Sequence, residues 1–394
     1  MERVIVVGAG QAGGRACQEL RRAGYPGVIT LVGAERHRPY DRPPLSKGVL
    51  AGKLDDTTFP IDLDGVELLL GRRATGLRPG VLETDAGPLD YDGLVIATGA
   101  DPVTLPGDGR QRVLRTIDDA LELRKELVPG ARVAVVGAGW IGAEVATAAA
   151  AAGARVVVVE AGAAPLAVAL DGAVGGATAP WYAEHGIDLR LGTAVAAVRP
   201  DGLELAGGGH IAADVVLVGV GVRPRLDWLA DSGLALDRGV VTDEFLSASW
   251  VGDAGGSVAP VVAVGDCAAW WSGRFETRLR LEHWDNAQQA PAAAVATLLG
   301  EPTRYDPVPY VWSDQLGRML QYAGHRPAGA APVWRGESGA EKWTVGWFDD
   351  AGRLSAIFAV KRPLDVVAGR RLIGAGTPVD QDRFADPTVP IKSL

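Results

Sequence analysis

Residues 3–24 read RVIVVGAGQAGGRACQELRRAG, and residues 132–153 read RVAVVGAGWIGAEVATAAAAAG. Gly8, Gly10, Gly13 and Gly24 fall on Gly137, Gly139, Gly142 and Gly153 at a constant offset of 129 residues. Each copy opens with a short apolar run, passes through GxGxxG and enters a small-residue helical pattern. A second apolar run follows, at 28–32 and at 156–159, and leads to a glutamate, Glu35 or Glu160. This context predicts a βαβ unit twice over, and it makes GxGxxG a dinucleotide-binding signal. The glycines allow a tight turn and close approach of phosphate to the backbone, and the helix N-terminus offers unpaired N–H groups to a pyrophosphate.

A second repeat supports the first. LDYDGLVIATGADP (89–102) resembles IAADVVLVGVGVRP (211–224), with Asp92 and Asp214 in equivalent places. Each reads as a buried strand ending in a glycine turn and a proline. VVAVGDCA (261–268) is a further apolar strand, ending in Gly265-Asp266, and it follows the second module. It predicts that the first module is completed from beyond the second. The expected fold is α/β, with two Rossmann-like dinucleotide-binding domains, the second inserted in the first, plus a C-terminal α+β domain. The boundaries are 1–107 with 237–305 for the first domain, 108–236 for the second and 306–394 for the third. The third is rich in aromatic residues, and KWTVGWF and LSAIFAVK flank a turn at Asp349-Asp350-Ala351-Gly352, the pattern of a hairpin.

Composition narrows the function. The chain has 394 residues, 47% of them hydrophobic and 22% charged, which excludes disorder as its main state. Its 53 glycines lack the G-X-Y period of collagen. With 39 basic against 48 acidic residues, a net charge of −9, general binding to nucleic acid or an anionic membrane is not expected. The two cysteines, Cys17 and Cys267, have neither disulfide-framework nor metal-cluster spacing, and the histidines show no metal spacing. The N-terminus runs straight into the first strand pattern, and the alanine-rich stretch at 143–154 is too short to span a bilayer. These features point to a soluble, cytoplasmic protein without a metal site.

Glu160 ends its strand where an acceptor for the 2′-hydroxyl of an adenosine ribose belongs. The AGAAPLA stretch that follows contains no arginine or lysine. A 2′-phosphate would meet a carboxylate with no counter-cation, so a dinucleotide bound here is expected to lack that phosphate.

The order GxGxxG, ATG, second GxGxxG, GD resembles the flavoproteins with two dinucleotide-binding domains. Within them, PYDRPPLSKGVLAGK (39–53), LRTIDDA (114–120), LEHWDNAQQA (281–290) and PYVWSDQLGRMLQYAG (309–324) are similar to the FAD-dependent, NADH-using ferredoxin reductases that serve bacterial oxygenases and cytochromes P450. Putidaredoxin, rhodocoxin and rubredoxin reductases are relatives of that family. The resemblance covers essentially the whole chain. It implies an FAD site of Gly8, Gly10, Ala12 and Gly13 at the pyrophosphate, completed by Lys47, Ala74, Arg115, Asp266 and Trp284. The acid that the family often carries after the second strand is replaced by Ala34, and Glu35 is expected to take that role. The second module would hold NADH through Gly137, Gly139, Trp140, Ile141, Gly142 and Glu160. Glu144 would lie near the nicotinamide and Lys47, and Trp312 near the exposed edge of the flavin.

The implied activity is transfer of electrons from NADH through FAD, singly, to a [2Fe–2S] ferredoxin that feeds a cytochrome P450 or other oxygenase. Alternatives are a rubredoxin reductase, or a regulatory flavoprotein resembling apoptosis-inducing factor. An oxidase or peroxidase relative would need a cysteine near the flavin, and residues 36–53 contain none. With the chain at −9, an acidic ferredoxin requires a local basic patch, for which Arg72, Arg73, Arg278, Arg280, Arg304 and Arg318 are the candidates.

Overall fold

The computed structural model describes residues 1–251 and 259–394. It divides into two compact units, the first formed by Met1–Asp41, Thr58–Asp101 and Arg223–Pro309, the second by Arg42–Thr57, Pro102–Val222 and Tyr310–Leu394.

The first unit is built on a five-stranded parallel sheet in the order Val261–Ala263, Gly93–Ile96, Arg3–Val7, Val28–Gly33, Val66–Leu70. Runs of Val, Ile and Leu without polar alternation suit strands buried on both faces, and Val4, Ile5, Val6, Leu94, Val95 and Ile96 are fully buried. The Gln11–Arg22 helix packs on the Trp284–Leu298 helix through Ala12, Ala16, Ala290 and Ala294, small side chains that let two helices approach closely. Two small three-stranded sheets complete the unit, one of them pairing Val240–Thr242, Ala268–Ser272 and Thr277–Leu279.

The second unit repeats the plan. Its four-stranded parallel sheet runs Asp188–Arg190, Arg155–Val159, Arg132–Val136, Val215–Val218, with the Trp140–Ala151 helix between the third and second of these in chain order. The repeat extends to individual bonds. Gly8 N–H donates to Val32 O (2.7 Å) and Gly137 N–H to Val159 O (2.8 Å), while Ala97 N–H donates to Val7 O and Gly219 N–H to Val136 O. Asp92 accepts from the amides of Glu2 (2.7 Å) and Arg3 (2.9 Å), and Asp214 from the amide (2.8 Å) and guanidinium of Arg132. Each aspartate pins the start of its own module's first strand. The amide donors hold the Asp92 carboxyl below its usual range, and the Arg132 guanidinium takes Asp214 down to about 2.

The C-terminal part of this unit is a five-stranded antiparallel sheet, ordered Tyr310–Gln315, Arg318–Gly324, Leu354–Val360, Trp343–Phe348, Val333–Arg335. Trp343 and Leu354–Val360 lie in the hairpin around Gly352, whose positive φ (72°) closes the turn. No helix among the described residues is long and apolar enough to cross a membrane.

Candidate functional site

The glycine loop of the first unit is shaped for a ligand that presses on its backbone. Gly8 has φ +113°, and a Cβ there would lie 2.1 Å from Ala97 O; a Cβ on Gly13 would lie 1.8 Å from Gly8 O. Only glycine fits either place. Gly10 caps the Gln11–Arg22 helix with extended backbone and no side chain on the first-turn amides, and no acidic residue occupies that turn. Those N–H groups therefore keep their positive dipole available to an anion. Gly265 (φ +73°) brings the Gly265–Cys267 turn against Ala12, and Asp266 is half-buried beside it. These features fit the diphosphate and hydroxylated chain of FAD.

The remaining first-unit candidates are placed as follows. Glu35 accepts a hydrogen bond from the buried Tyr40 hydroxyl. Ala74 begins the Ala74–Arg78 strand opposite Thr84. Trp284 begins the Trp284–Leu298 helix, and its indole donates to Asp41 Oδ1 (2.9 Å), tying down the middle of PYDRPP. His283, just before it, is pushed down to about 4 by burial, so it is neutral in the fold.

In the second unit a glycine loop has the same form. Gly137 (φ +99°) would place a Cβ 2.5 Å from Gly219 O, and Gly142 would place one 2.0 Å from Gly137 O. Gly139 caps the Trp140–Ala151 helix without a side-chain acceptor, and a Cβ there would meet nothing within 4 Å. Its missing side chain serves no internal packing, so what it leaves clear is approach from outside. Trp140 is half-buried and Ile141 exposed at the first turn. Glu160 braces the loop, accepting from Ala138 N–H (2.8 Å) and Gly162 N–H (2.7 Å). A carboxylate has about four lone-pair positions, so two amides leave it room to accept ribose hydroxyls.

One turn along the same helix, three separated sequence motifs meet on a buried carboxylate. Glu144 is 4% exposed. Its Oε2 accepts from Lys47 Nζ (2.8 Å) and from the Ser46 hydroxyl, and its Oε1 accepts from Ser313 Oγ (2.6 Å). Ser46 and Lys47 sit on a π-helical turn, Leu45–Val49, a geometry often found at functional sites. Ser313 lies on the Tyr310–Gln315 strand, where Gln315 Nε2 donates to its oxygen (3.0 Å), and Leu316 N–H donates to Thr147 Oγ1 (2.9 Å). The neighbouring Trp312 is half-buried and stacks on Tyr310, the ring centroids 6.1 Å apart. Arg115 precedes a helix whose capping box joins Thr116 and Asp119, and its carbonyl accepts from the Arg42 guanidinium.

Sequence reasoning named Lys47 and Glu144 but overlooked Ser46, Ser313, Gln315 and Asp41. The hydroxyls in PPLSK and WSDQ were the available signal. Of the six arginines considered for docking, five are engaged within the chain. Arg278 donates to Thr242 O (2.6 Å), Arg280 pairs with Glu282 (2.6 Å), and Arg304 pairs with Glu244 (3.3 Å). Arg318 pairs with Glu184 (2.8 Å) over the Trp181 ring, and Arg72 donates to Thr84 Oγ1 (2.7 Å). Arg73 is exposed. Both cysteines are buried, Cys17 with its thiol pushed up to about 12 by desolvation, so neither is a ready thiolate.

Comparison with known proteins identifies the family of the chain. Residues 2–290 match the pyridine nucleotide-disulphide oxidoreductase model and residues 310–394 the reductase C-terminal model. The ferredoxin–NAD(+) reductase component of the p-cumate 2,3-dioxygenase system of Pseudomonas putida is 34% identical over 406 residues, covering 100% of this chain and 98% of that protein. The crystal structure of Fdr9 matches with a TM-score of 0.93 and 46% identity, covering 99% of each chain. The reductase in the covalent putidaredoxin reductase–putidaredoxin complex matches with a TM-score of 0.92 and 29% identity, over 100% of this chain and 97% of that one. The chain belongs to the pyridine nucleotide-disulphide oxidoreductase family, in the branch that carries the reductase C-terminal domain.

Proposed function

We propose that this protein is a cytoplasmic NADH-dependent flavoprotein reductase that passes electrons singly to a [2Fe–2S] ferredoxin serving a cytochrome P450 or other oxygenase. The observation that carries this reading is the knot on Glu144, where PPLSK, the second glycine motif and WSDQ meet around one buried carboxylate paired with Lys47. The names of the relatives support the acceptor and its destination.

When bound, FAD takes two electrons from NADH together and releases them one at a time, the conversion that joins a hydride donor to an iron–sulfur acceptor. By the family resemblance, the residues that would hold it are Gly8, Gly10, Ala12, Gly13, Glu35, Lys47, Ala74, Arg115, Asp266 and Trp284. NADH would be held by Gly137, Gly139, Trp140, Ile141, Gly142 and Glu160. Glu160 accepts the ribose hydroxyls and, with no cation in the following stretch, discriminates against a 2′-phosphate. Glu144 restrains the Lys47 ammonium, so a single positive charge is kept at one place instead of sweeping a long side chain's range. The domain division proposed is 1–107 with 237–305 for FAD, 108–236 for NADH and 306–394 for the acceptor side, where Trp312 stands.

The test is NADH-driven cytochrome c reduction by the purified protein with and without a [2Fe–2S] ferredoxin. A yellow protein with strongly ferredoxin-dependent turnover is expected. Flavin binding with negligible turnover toward any one-electron acceptor would instead favour a regulatory role.

A further inference from the structure

Gln11 is the first residue of the Gln11–Arg22 helix, directly after the capping glycine. It is 8% exposed, and among the described residues neither its Oε1 nor its Nε2 has a hydrogen-bond partner. A buried primary amide with every group unsatisfied is costly, because each lost its bonds to water and gained none. The helix above it already has open first-turn amides, so two independent observations at one turn point to a missing ligand. The internal repeat adds a third. Gln11 stands where Trp140 stands in the second copy, one residue past the middle glycine of the motif.

We propose that the Gln11 side chain is a cofactor-binding group for the hydroxylated chain of FAD. The chemistry selects that part of the molecule. Diphosphate oxygens only accept, and would leave Oε1 unsatisfied, whereas a hydroxyl both donates to Oε1 and accepts from Nε2. The inference rests on the FAD reading above, and it adds a residue to the flavin set.

The test uses the full-length protein carrying Gln11→Met, which keeps the volume and removes the polar atoms, with Gln11→Ala as a second variant. FAD affinity is measured by flavin fluorescence, the thermal midpoint of the flavin-stripped chain by melting, and ADP as a competitor for FAD rebinding. The proposal expects FAD to bind about tenfold or more weakly. It expects the stripped chain to melt at the same temperature or higher, since an unsatisfied amide is gone. It also expects ADP, which lacks the ribityl chain, to keep the inhibition constant it has in wild type. Unchanged FAD affinity would overturn the proposal. So would parallel loss of affinity and stripped-chain stability, or failure of both variants to fold, since these mark Gln11 as a packing residue. Equal weakening of ADP would overturn the assignment to the hydroxylated chain. A wild-type protein that binds no flavin would refute the underlying reading instead, and that result is seen before any variant is made.

Discussion

Ser313→Ala is the most informative single change in the second unit. Ser313 is fully buried, and its hydroxyl donates at 2.6 Å to Glu144 Oε1, on the carboxylate that pairs with Lys47. A hydrogen bond to a charged group contributes about 1.5–3 kcal/mol. The same oxygen accepts from Gln315 Nε2, which is itself buried, so the substitution also strands a donor at about 1 kcal/mol or more. The combined cost is about 3 kcal/mol, and the void left by a single missing oxygen adds little to it. At about 2–4 °C per kcal/mol for a unit of this size, the melting midpoint should fall by roughly 6–12 °C. The assay is a melt of the flavin-loaded protein, run with Ser313→Ala, Glu144→Gln and the double variant. If the two residues act through their bond, the double variant loses less than the two singles together. A shift under about 2 °C for Ser313→Ala, or strict additivity, would refute the idea that the C-terminal sheet holds Glu144.

Other consequences can be checked alongside. Glu160→Gln with Ala161→Arg should raise the NADPH-to-NADH ratio of kcat/KM by about tenfold or more; a wild type that already uses both equally would remove the role given to Glu160. Asp266→Ala should weaken FAD retention by about 5- to 150-fold, read as flavin lost on dialysis, from an unmade hydrogen bond of about 1–3 kcal/mol. Asp92 and Asp214 are held below their ordinary range, so the stability they contribute is complete above about pH 4 and disappears as pH falls through the folded value, about 2 for Asp214. Asp214→Asn should therefore flatten the acid limb of a stability-against-pH curve, and an unchanged limb would contradict the strand-pinning role. Ferredoxin reduction should slow with added salt while reduction of a small neutral acceptor does not. Arg73→Glu is the cleaner reversal to combine with that test, because Arg278 is built into the first unit by bonds to two carbonyls.

Much of this architecture was legible in the chain because it is written twice. Two apolar runs flanking each GxGxxG produce the two parallel sheets, and the second repeat marks Asp92 and Asp214 as equivalent, although only the fold shows both clamping a first strand. The hairpin around Gly352 was readable from alternation and a turn. The order of the five C-terminal strands was not, since pairing Arg318–Gly324 with Leu354–Val360 depends on contacts 32 to 40 residues apart that no local pattern encodes. The site divides in the same way. The glycine loops and Glu160 are local features. The Glu144 knot joins Ser46, Glu144 and Ser313 across 98 and 169 residues, and hydroxyl donors on a buried acid leave no spacing signature. The candidate docking arginines show a related limit: a sequence shows that a guanidinium is present, whereas only the fold shows that Arg318 is engaged by Glu184 and Trp181.

The central claim is two-electron entry from NADH and one-electron exit to a ferredoxin. The most direct measurement is anaerobic stoichiometry with the purified protein, counting ferredoxin reduced per NADH oxidised. The account predicts a yellow protein, two ferredoxins reduced per NADH, and little reduction when the flavin is removed. A colourless protein, or NADH oxidation that proceeds without any ferredoxin becoming reduced, would contradict it.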